Sequence, residues 1–334
     1  MVSSMDQKTP FALALIMLLL GSVCVVLFTP LIGFKVLAFE NIFFASKESI
    51  DAQIFWNIRV PRTLVAFLAG GTFALCGMVF QALFRNPLVS PATLGVSSGA
   101  AFGAAVYIAL GLSFNILGIT GISLFAFSGA MLSIAIVWSL SKIKYGSSIS
   151  KMLLAGIAVS FFFVSLIMFI QYLGDVSQSF RISRWLMGGI FVFGFKPLWD
   201  ILPFTVVGLS VIMLTTNELN LFTTGEDIAV SRGVNVDFMI KFLFVVISLV
   251  IAGTVSICGP ISFVGIIAPH ICRLLIGFDH RQLTPCTFLF GGLFLTICDT
   301  FARIIVAPGE IPVGIITALL GGPFFLWLLH KRFT

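Results

Sequence analysis

The sequence predicts an all-α, polytopic membrane protein of about ten transmembrane helices, on three observations. Of 334 residues, 59% are hydrophobic and only 10% are charged, against roughly a quarter charged in an ordinary soluble domain. A soluble fold of this size needs polar surface that this chain lacks. The charges are also segregated: none occurs between Arg85 and Lys142, and Phe11–Leu31 is another uncharged run. A span needs about 20 mostly apolar residues, and 18 or more with few charges is already a candidate. Finally, glycine, proline and loop charges interrupt the apolar sequence at intervals that suit membrane spans.

Taken in order, the expected spans are Phe11–Ile32, Val60–Leu83, Leu94–Leu112, Leu117–Leu140, Met152–Leu173, Leu198–Thr215, Phe238–Cys258, Ile261–Gly277, Pro285–Ile305 and Ile311–Leu329. The first follows a polar Met1–Pro10 and is longer than the h-region of a secretory signal, with no small-x-small cleavage site at its end, so it reads as a retained span. A turn around Ser113–Asn115 must divide one long apolar run, and Gly259-Pro260 divides another. Trp185–Phe195 is too short to cross and reads as a short re-entrant or interfacial helix. The whole of 1–334 is expected to be a single transmembrane domain.

An even number of spans puts both termini on one side, and Lys331-Arg332 directly after the last span marks that side as cytoplasmic. Alternation then places Lys8, Arg85, Lys142, Lys144, Lys151, Arg232, Lys241, Arg273 and Arg281 inside. The smaller outer set is Lys35, Lys47, Arg59, Arg62, Arg181, Arg184, Lys196 and Arg303.

Several function classes fall away. The net charge of +6 comes from basic residues at the ends of apolar runs, with no basic stripe and no interleaved aromatics, so no nucleic-acid partner is expected. The six cysteines lie inside apolar segments without a C-x-x-C pair and read as small buried hydrophobes. No metal-spaced His/Glu cluster, nucleophile–base pair or bound cofactor is expected. There is no G-x-x-x-x-G-K-[ST] loop, so uphill transport would have to be powered by a partner.

Gly95, Gly99 and Gly103 recur every fourth residue on one face of the third span, the spacing that lets two helix backbones approach closely; a hinge is the alternative. Few ionisable residues sit in mid-membrane, which disfavours an ion-coupled carrier. Asp299 precedes Arg303 by four residues and reads as its helix-face partner. His270, after Pro269, is expected to hydrogen-bond a neighbouring helix. Arg59-Val60-Pro61-Arg62 opens the second span, with proline suited to a first helical turn. Its arginines read either as interfacial snorkels or as a fork for carboxylates of an external protein. The segment from Asn217 to Asp237 reads either as a solvated loop or as a partner's seat, with short helical fragments broken at Gly225 and Gly233. Glu226 and Asp227 start one fragment and Arg232 ends it, in agreement with the helix dipole.

Seven blocks, in order, resemble the permeases of iron-siderophore, haem and vitamin-B12 ABC importers: RVPRTL (Arg59–Leu64), QALFRNPLVSPATLGVSSG (Gln81–Gly99), WLMGG (Trp185–Gly189), GPISFVGIIAPHICR (Gly259–Arg273), DHR (Asp279–Arg281), DTFAR (Asp299–Arg303) and EIPVG (Glu310–Gly314). The resemblance spans essentially the whole chain. It implies the type II ABC importer permease fold in a bacterial or archaeal cytoplasmic membrane, with a second permease copy or a homologous permease alongside. It also implies two cytoplasmic ATP-binding subunits and a periplasmic or lipid-anchored solute-binding protein. By position, Arg59, Arg62 and Arg303 resemble the residues that dock the binding protein. Thr224, Gly225, Glu226, Asp227, Ile228, Ala229, Arg232 and Gly233 resemble the segment that couples to the ATPase, with Arg232 where leucine is common. Ser148, Ile149 and Ser150 resemble the inner gate loop, with Ile149 where a related permease has threonine. Ser177–Gly189 resembles the short outer helix beside the path. The block NPLVSPATLGVSSGA looks most like iron–siderophore permeases.

Overall fold

A backbone in hydrocarbon has to satisfy its own N–H and C=O groups, and the helix does so within one segment. The computed structural model describes residues 8–35, 37–43, 49–116, 118–141 and 148–333, and there the chain is almost entirely helical. Helix α1 is Lys8–Phe28, α2 Phe39–Phe43, α3 Ile50–Ile54, α4 Val60–Leu83, α5 Val96–Ala109, α6 Gly121–Ser141, α7 Ser148–Leu173 and α8 Val176–Leu186. Then follow α9 Lys196–Leu214, α10 Thr216–Thr224, α11 Glu226–Ser231, α12 Val236–Cys258, α13 Val264–Ile276, α14 His280–Ile304 and α15 Val313–Phe333. Among the described residues, seven helical segments are long and apolar enough to cross a membrane, and three shorter apolar helices accompany them. Together these fall on the ten expected spans. Lys47, Lys142 and Lys144 lie outside the described residues.

Helix ends follow local chemistry. Asp175, Asn235 and Asp279 cap α8, α12 and α14 by accepting the backbone N–H of Gln178, Phe238 and Arg281. Pro61 follows a π-helical turn and has no N–H for the carbonyl of Asn57, which accepts instead from the N–H of Gly194 at 2.6 Å.

Helix α4 is the axis of the bundle. Twenty of the 24 residues of α4 are buried, whereas Ser22 alone is buried among the described side chains of α1, which runs along the periphery. Its two closest approaches use glycine pairs. A Cβ added at Gly291 of α14 would lie 2.6 Å from the carbonyl oxygen of Gly70, and one added at Gly265 of α13 would lie 2.9 Å from that of Phe73. Helix α5 meets α6 in the same way: a Cβ at Gly99 would lie 2.6 Å from Ser133 Cβ, and one at Gly103 would strike the backbone of Phe125. Gly95, at φ +83°, precedes α5 and accepts a hydrogen bond from Ser133 Oγ at 2.7 Å. Such contacts supply van der Waals packing where lipid provides no hydrophobic drive. Thr72 of α4 and Thr205 of α9 add a buried hydroxyl pair at 2.9 Å.

Some boundaries differ from expectation. Helices α5 and α13 are shorter than their spans because irregular backbone precedes each: a 3-10 turn at Pro91–Leu94, and the segment 259–263 after Cys258. Non-helical backbone at membrane depth is tolerated when protein buries it. The segment Trp185–Phe195 is mostly not helical. Helix α8 ends at Leu186, Gly188 (φ +67°) and Gly194 (φ +71°) turn the chain, and the N–H of Gly189 bonds to Cys258 O at 2.9 Å. The expected turn near Ser113–Asn115 is a small antiparallel pair, with Asn115 opposite Thr120 and Ile116 opposite Ile119.

Candidate functional site

Polar chemistry gathers at the two ends of α4. At its start, Arg59 closes a π-helical turn (Phe55–Arg59) and is 6% exposed. Its Nη1 donates to the carbonyls of Pro30 (3.2 Å) and Leu31 (3.1 Å), and its Nη2 to Lys35 O (2.6 Å). Arg62, one helical turn on, reaches across to α14. Its Nε donates to both Asp299 oxygens (3.1 and 3.0 Å), its Nη2 to Oδ1 (2.9 Å), and its Nη1 to Glu310 Oε2 (2.8 Å). Asp299 is fully buried and also pairs with Arg303 Nε at 3.3 Å, so the expected helix-face pair is present but shared. Arg303 Nη2 donates to Thr300 Oγ1 at 3.0 Å, while its Nη1 is buried without a hydrogen-bond partner among the described residues. Two buried guanidiniums, Arg62 and Arg303, thus share two carboxylates, while Arg59 is held by main-chain carbonyls; of the two carboxylates Glu310, 41% exposed, opens to the surroundings. The three arginines expected as a docking set are together, but as a buried cluster with internal partners rather than as exposed forks.

The sequence left Arg62 without an internal partner. The signal was Asp299: a carboxylate in an apolar helix needs a cation, and Arg303 at i+4 concealed the need for a second.

At the other end of α4, Gln81 Nε2 donates to Gly265 O (3.1 Å), its Oε1 accepts from Arg273 Nη1, and Arg85 Nε donates to Phe222 O (3.0 Å). Helix α10 is fastened to the start of α14 by two asparagines that sequence reasoning did not single out. Asn220 Oδ1 receives the N–H of His280 (2.8 Å) and lies 2.8 Å from its Nδ1, and Asn220 Nδ2 donates to Asp279 Oδ1 (2.7 Å). Asn217 Oδ1 accepts from Arg281 Nε (3.0 Å) and Nη2 (2.5 Å).

From this support projects α11. Gly225 (φ +139°) and Gly233 (φ +83°) break the chain on either side of it. Ala229 is buried, whereas Ile228 and Val230 are exposed, and Thr224, Asp227 and Arg232 face outward too. Ser148, Ile149 and Ser150 begin α7, and Ser150 is exposed. Among the described residues His270 hydrogen-bonds no neighbouring helix and packs edge-on to Phe324, ring centroids 5.9 Å apart. Among the described residues no group of three His, Cys, Asp or Glu could hold a metal ion.

Comparison with known proteins agrees with this architecture along the chain. Residues 14–331 match the family model described as the FecCD transport family. The chain is 36% identical over 301 residues to HmuU of Yersinia pestis, a hemin transport system permease protein, covering 89% of each sequence. It is 33% identical over 276 residues to FecC of Escherichia coli, an Fe(3+) dicitrate transport system permease protein, covering 83% of this chain and 82% of that one. A solved metal-chelate-type ABC transporter in an inward-facing conformation superposes with a TM-score of 0.83 at 31% identity, over 96% of this chain and 99% of that one. With buried arginines at one end of a central helix, a braced projecting helix at the other, and this likeness along nearly all its length, the chain belongs to the FecCD transport family.

Proposed function

We propose that this permease imports iron(III)–siderophore complexes across the cytoplasmic membrane of a bacterium or archaeon. Its termini and the α10–α11 segment are then cytoplasmic, and ATP hydrolysis occurs in two separate ATP-binding subunits seated on that segment. A periplasmic or lipid-anchored solute-binding protein delivers the chelate at the Arg59 end. A second permease copy, or a homologous permease, completes the path, and membrane lipid surrounds both.

The observation that carries this reading is α11 on its braced support. Two exposed apolar residues, Ile228 and Val230, project from a helix pair fastened to α14 through Asn217 and Asn220. Pushing on α11 therefore moves the start of α14, and the glycine contact between α14 and α4 passes that motion along the bundle. Thr224, Gly225, Glu226, Asp227, Ile228, Ala229, Arg232 and Gly233 form the coupling element, and Ser148–Ser150 the inner gate.

Arg59, Arg62 and Arg303 receive acidic residues of the binding protein. Their burial makes docking an exchange: exposed Glu310 leaves Arg62 as an incoming carboxylate replaces it, while Asp299 stays to keep the buried cations paired. Specificity among cargoes then resides mainly in the binding protein.

Iron chelates are favoured by the NPLVSPATLGVSSGA block and by relatives named for hemin and ferric dicitrate transport. Haem or vitamin B12 is the second reading, by the same mechanism, since relatives named for hemin and for cobalamin import are 36% and 39% identical. The test is uptake of a radiolabelled ferric siderophore by the complete complex, in competition with haemin and cobalamin. The ferric siderophore should compete best; haemin competing best would replace the cargo assignment.

A further inference from the structure

A cavity of about 540 Å³ opens beside the far end of α4, between α10, α13, α14 and α15. Its lining joins two chemistries. Arg85, Arg273 and His280 form a basic side, while Phe278, Trp327 and Leu328 form an apolar one, and among the described residues no carboxylate lines it. Arg273 spends one donor on the neutral amide of Gln81 and has no ion-pair partner among the described residues. A guanidinium near hydrocarbon without a counter-ion is costly. Phe278 and Trp327 are exposed at 71% and 51%, so the apolar side is open at the surface of the chain.

His280 adds an independent sign of an occupant. It is 1% exposed, and its Nε2 is buried with no hydrogen-bond partner among the described residues. Asn220 Oδ1, an acceptor, faces Nδ1 and also receives the His280 N–H, so the neutral ring carries its proton on Nδ1. Nε2 is then a bare acceptor in need of a donor. An unpaired buried polar group is costly, and it is satisfied when a ligand brings its counterpart.

We infer that this cavity binds the phosphodiester and hydroxyl groups of an anionic phospholipid such as phosphatidylglycerol. The phosphate accepts from Arg273 beside Arg85, a headgroup hydroxyl donates to His280 Nε2, and the acyl chains lie along Phe278, Trp327 and Leu328. Basic pockets between membrane helices on the cytoplasmic side take anionic headgroups in this way. Phosphatidylcholine fits poorly, since its headgroup offers no hydrogen-bond donor and brings a second cation beside the arginines. A free phosphate would satisfy the basic side but leave the apolar side open. The inference rests on the proposed orientation only for which leaflet supplies the lipid.

The test reads Trp327 fluorescence in the full chain, taken as the difference between the wild type and Trp327→Phe, in nanodiscs containing acyl-brominated phosphatidylglycerol or phosphatidylcholine. At equal mole fraction, the glycerol lipid should quench with about tenfold higher apparent affinity. Arg273→Gln should remove that preference, and inorganic phosphate at tens of millimolar should not compete. Because Arg273 also braces Gln81, native mass spectrometry of the wild type supplies a variant-free measure: it should retain a phosphatidylglycerol adduct in preference to phosphatidylcholine. Equal quenching and equal retention of the two lipids would overturn the inference, and displacement by inorganic phosphate would replace the lipid with a free anion. No readout involves transport, so failure of the proposed cargo or mechanism leaves the result interpretable.

Discussion

Replacing Asp299 with asparagine removes the one fully buried carboxylate between two guanidiniums that are each 6% exposed. The asparagine keeps the volume and one acceptor. Its amide nitrogen, however, sits where an oxygen accepted from Arg62 Nε at 3.0 Å and lay 3.3 Å from Arg303 Nε as its ion-pair partner, so donors now face donors. Arg62 retains Glu310 at 2.8 Å, and Arg303 retains Thr300. Breaking a buried pair by deleting one partner costs about 3–5 kcal/mol because the remaining charge is stranded. The lower end applies here, since Glu310 survives. About 3 kcal/mol corresponds to a factor of more than a hundred in a local opening equilibrium. Cys298 is adjacent, free and 1% exposed, so its labelling rate by a small thiol reagent in mild detergent reports that opening. Asp299→Asn should accelerate labelling by about two orders of magnitude. Glu310→Gln, losing a pair whose carboxylate is 41% exposed, should change it by less than about fivefold. Equal labelling of Asp299→Asn and wild type would refute the view that this carboxylate holds α4 to α14.

Three further outcomes follow from the same geometry. Gly99→Leu should destabilise the bundle by about 1–3 kcal/mol or more through overpacking against α6, whereas Gly322→Ala, where a Cβ meets nothing within 4 Å, should stay within about 0.5 kcal/mol; denaturation in mixed micelles compares them. Asn220→Ala removes one of the two fastenings of α10 to α14, leaving Asn217 on Arg281, and should leave ATP hydrolysis by the assembled complex largely intact while chelate uptake falls several-fold, read as the ratio of ATP consumed to chelate imported. Glu310→Gln should strengthen docking of the binding protein up to about tenfold, because the incoming carboxylate no longer has to displace an internal one; unchanged or weaker affinity in a pull-down titration would contradict the exchange.

The spans were legible because membrane insertion is nearly a one-dimensional problem: uninterrupted apolar length decides it. The breaks at Gly225, Gly233 and Gly259-Pro260 were legible too, since these glycines adopt positive φ that other residues resist. The tertiary partners were not. Arg62 and Asp299 lie 237 positions apart, and only packing decides which arginine reaches a carboxylate that already has one at i+4. Asn217 and Asn220 looked like ordinary polar residues of a loop until α14 placed Asp279, His280 and Arg281 against them. The non-helical run after Leu186 was hidden for the same reason: an apolar sequence with glycines reads as a short helix, and the alternative hydrogen bonds come from distant backbone at Asn57, Cys258 and Gly314. His270 finds a ring instead of a polar partner, a choice fixed by where α15 places Phe324.

The central claim is that this permease shapes a passage that other subunits power. Accumulation of a ferric siderophore in proteoliposomes, with ATP on the α11 side, tests it most directly. Uphill accumulation should require the permease, its ATP-binding subunits and the loaded binding protein together, and should vanish when the ATP-binding subunits are omitted. Accumulation against a gradient by the chain alone would contradict the account.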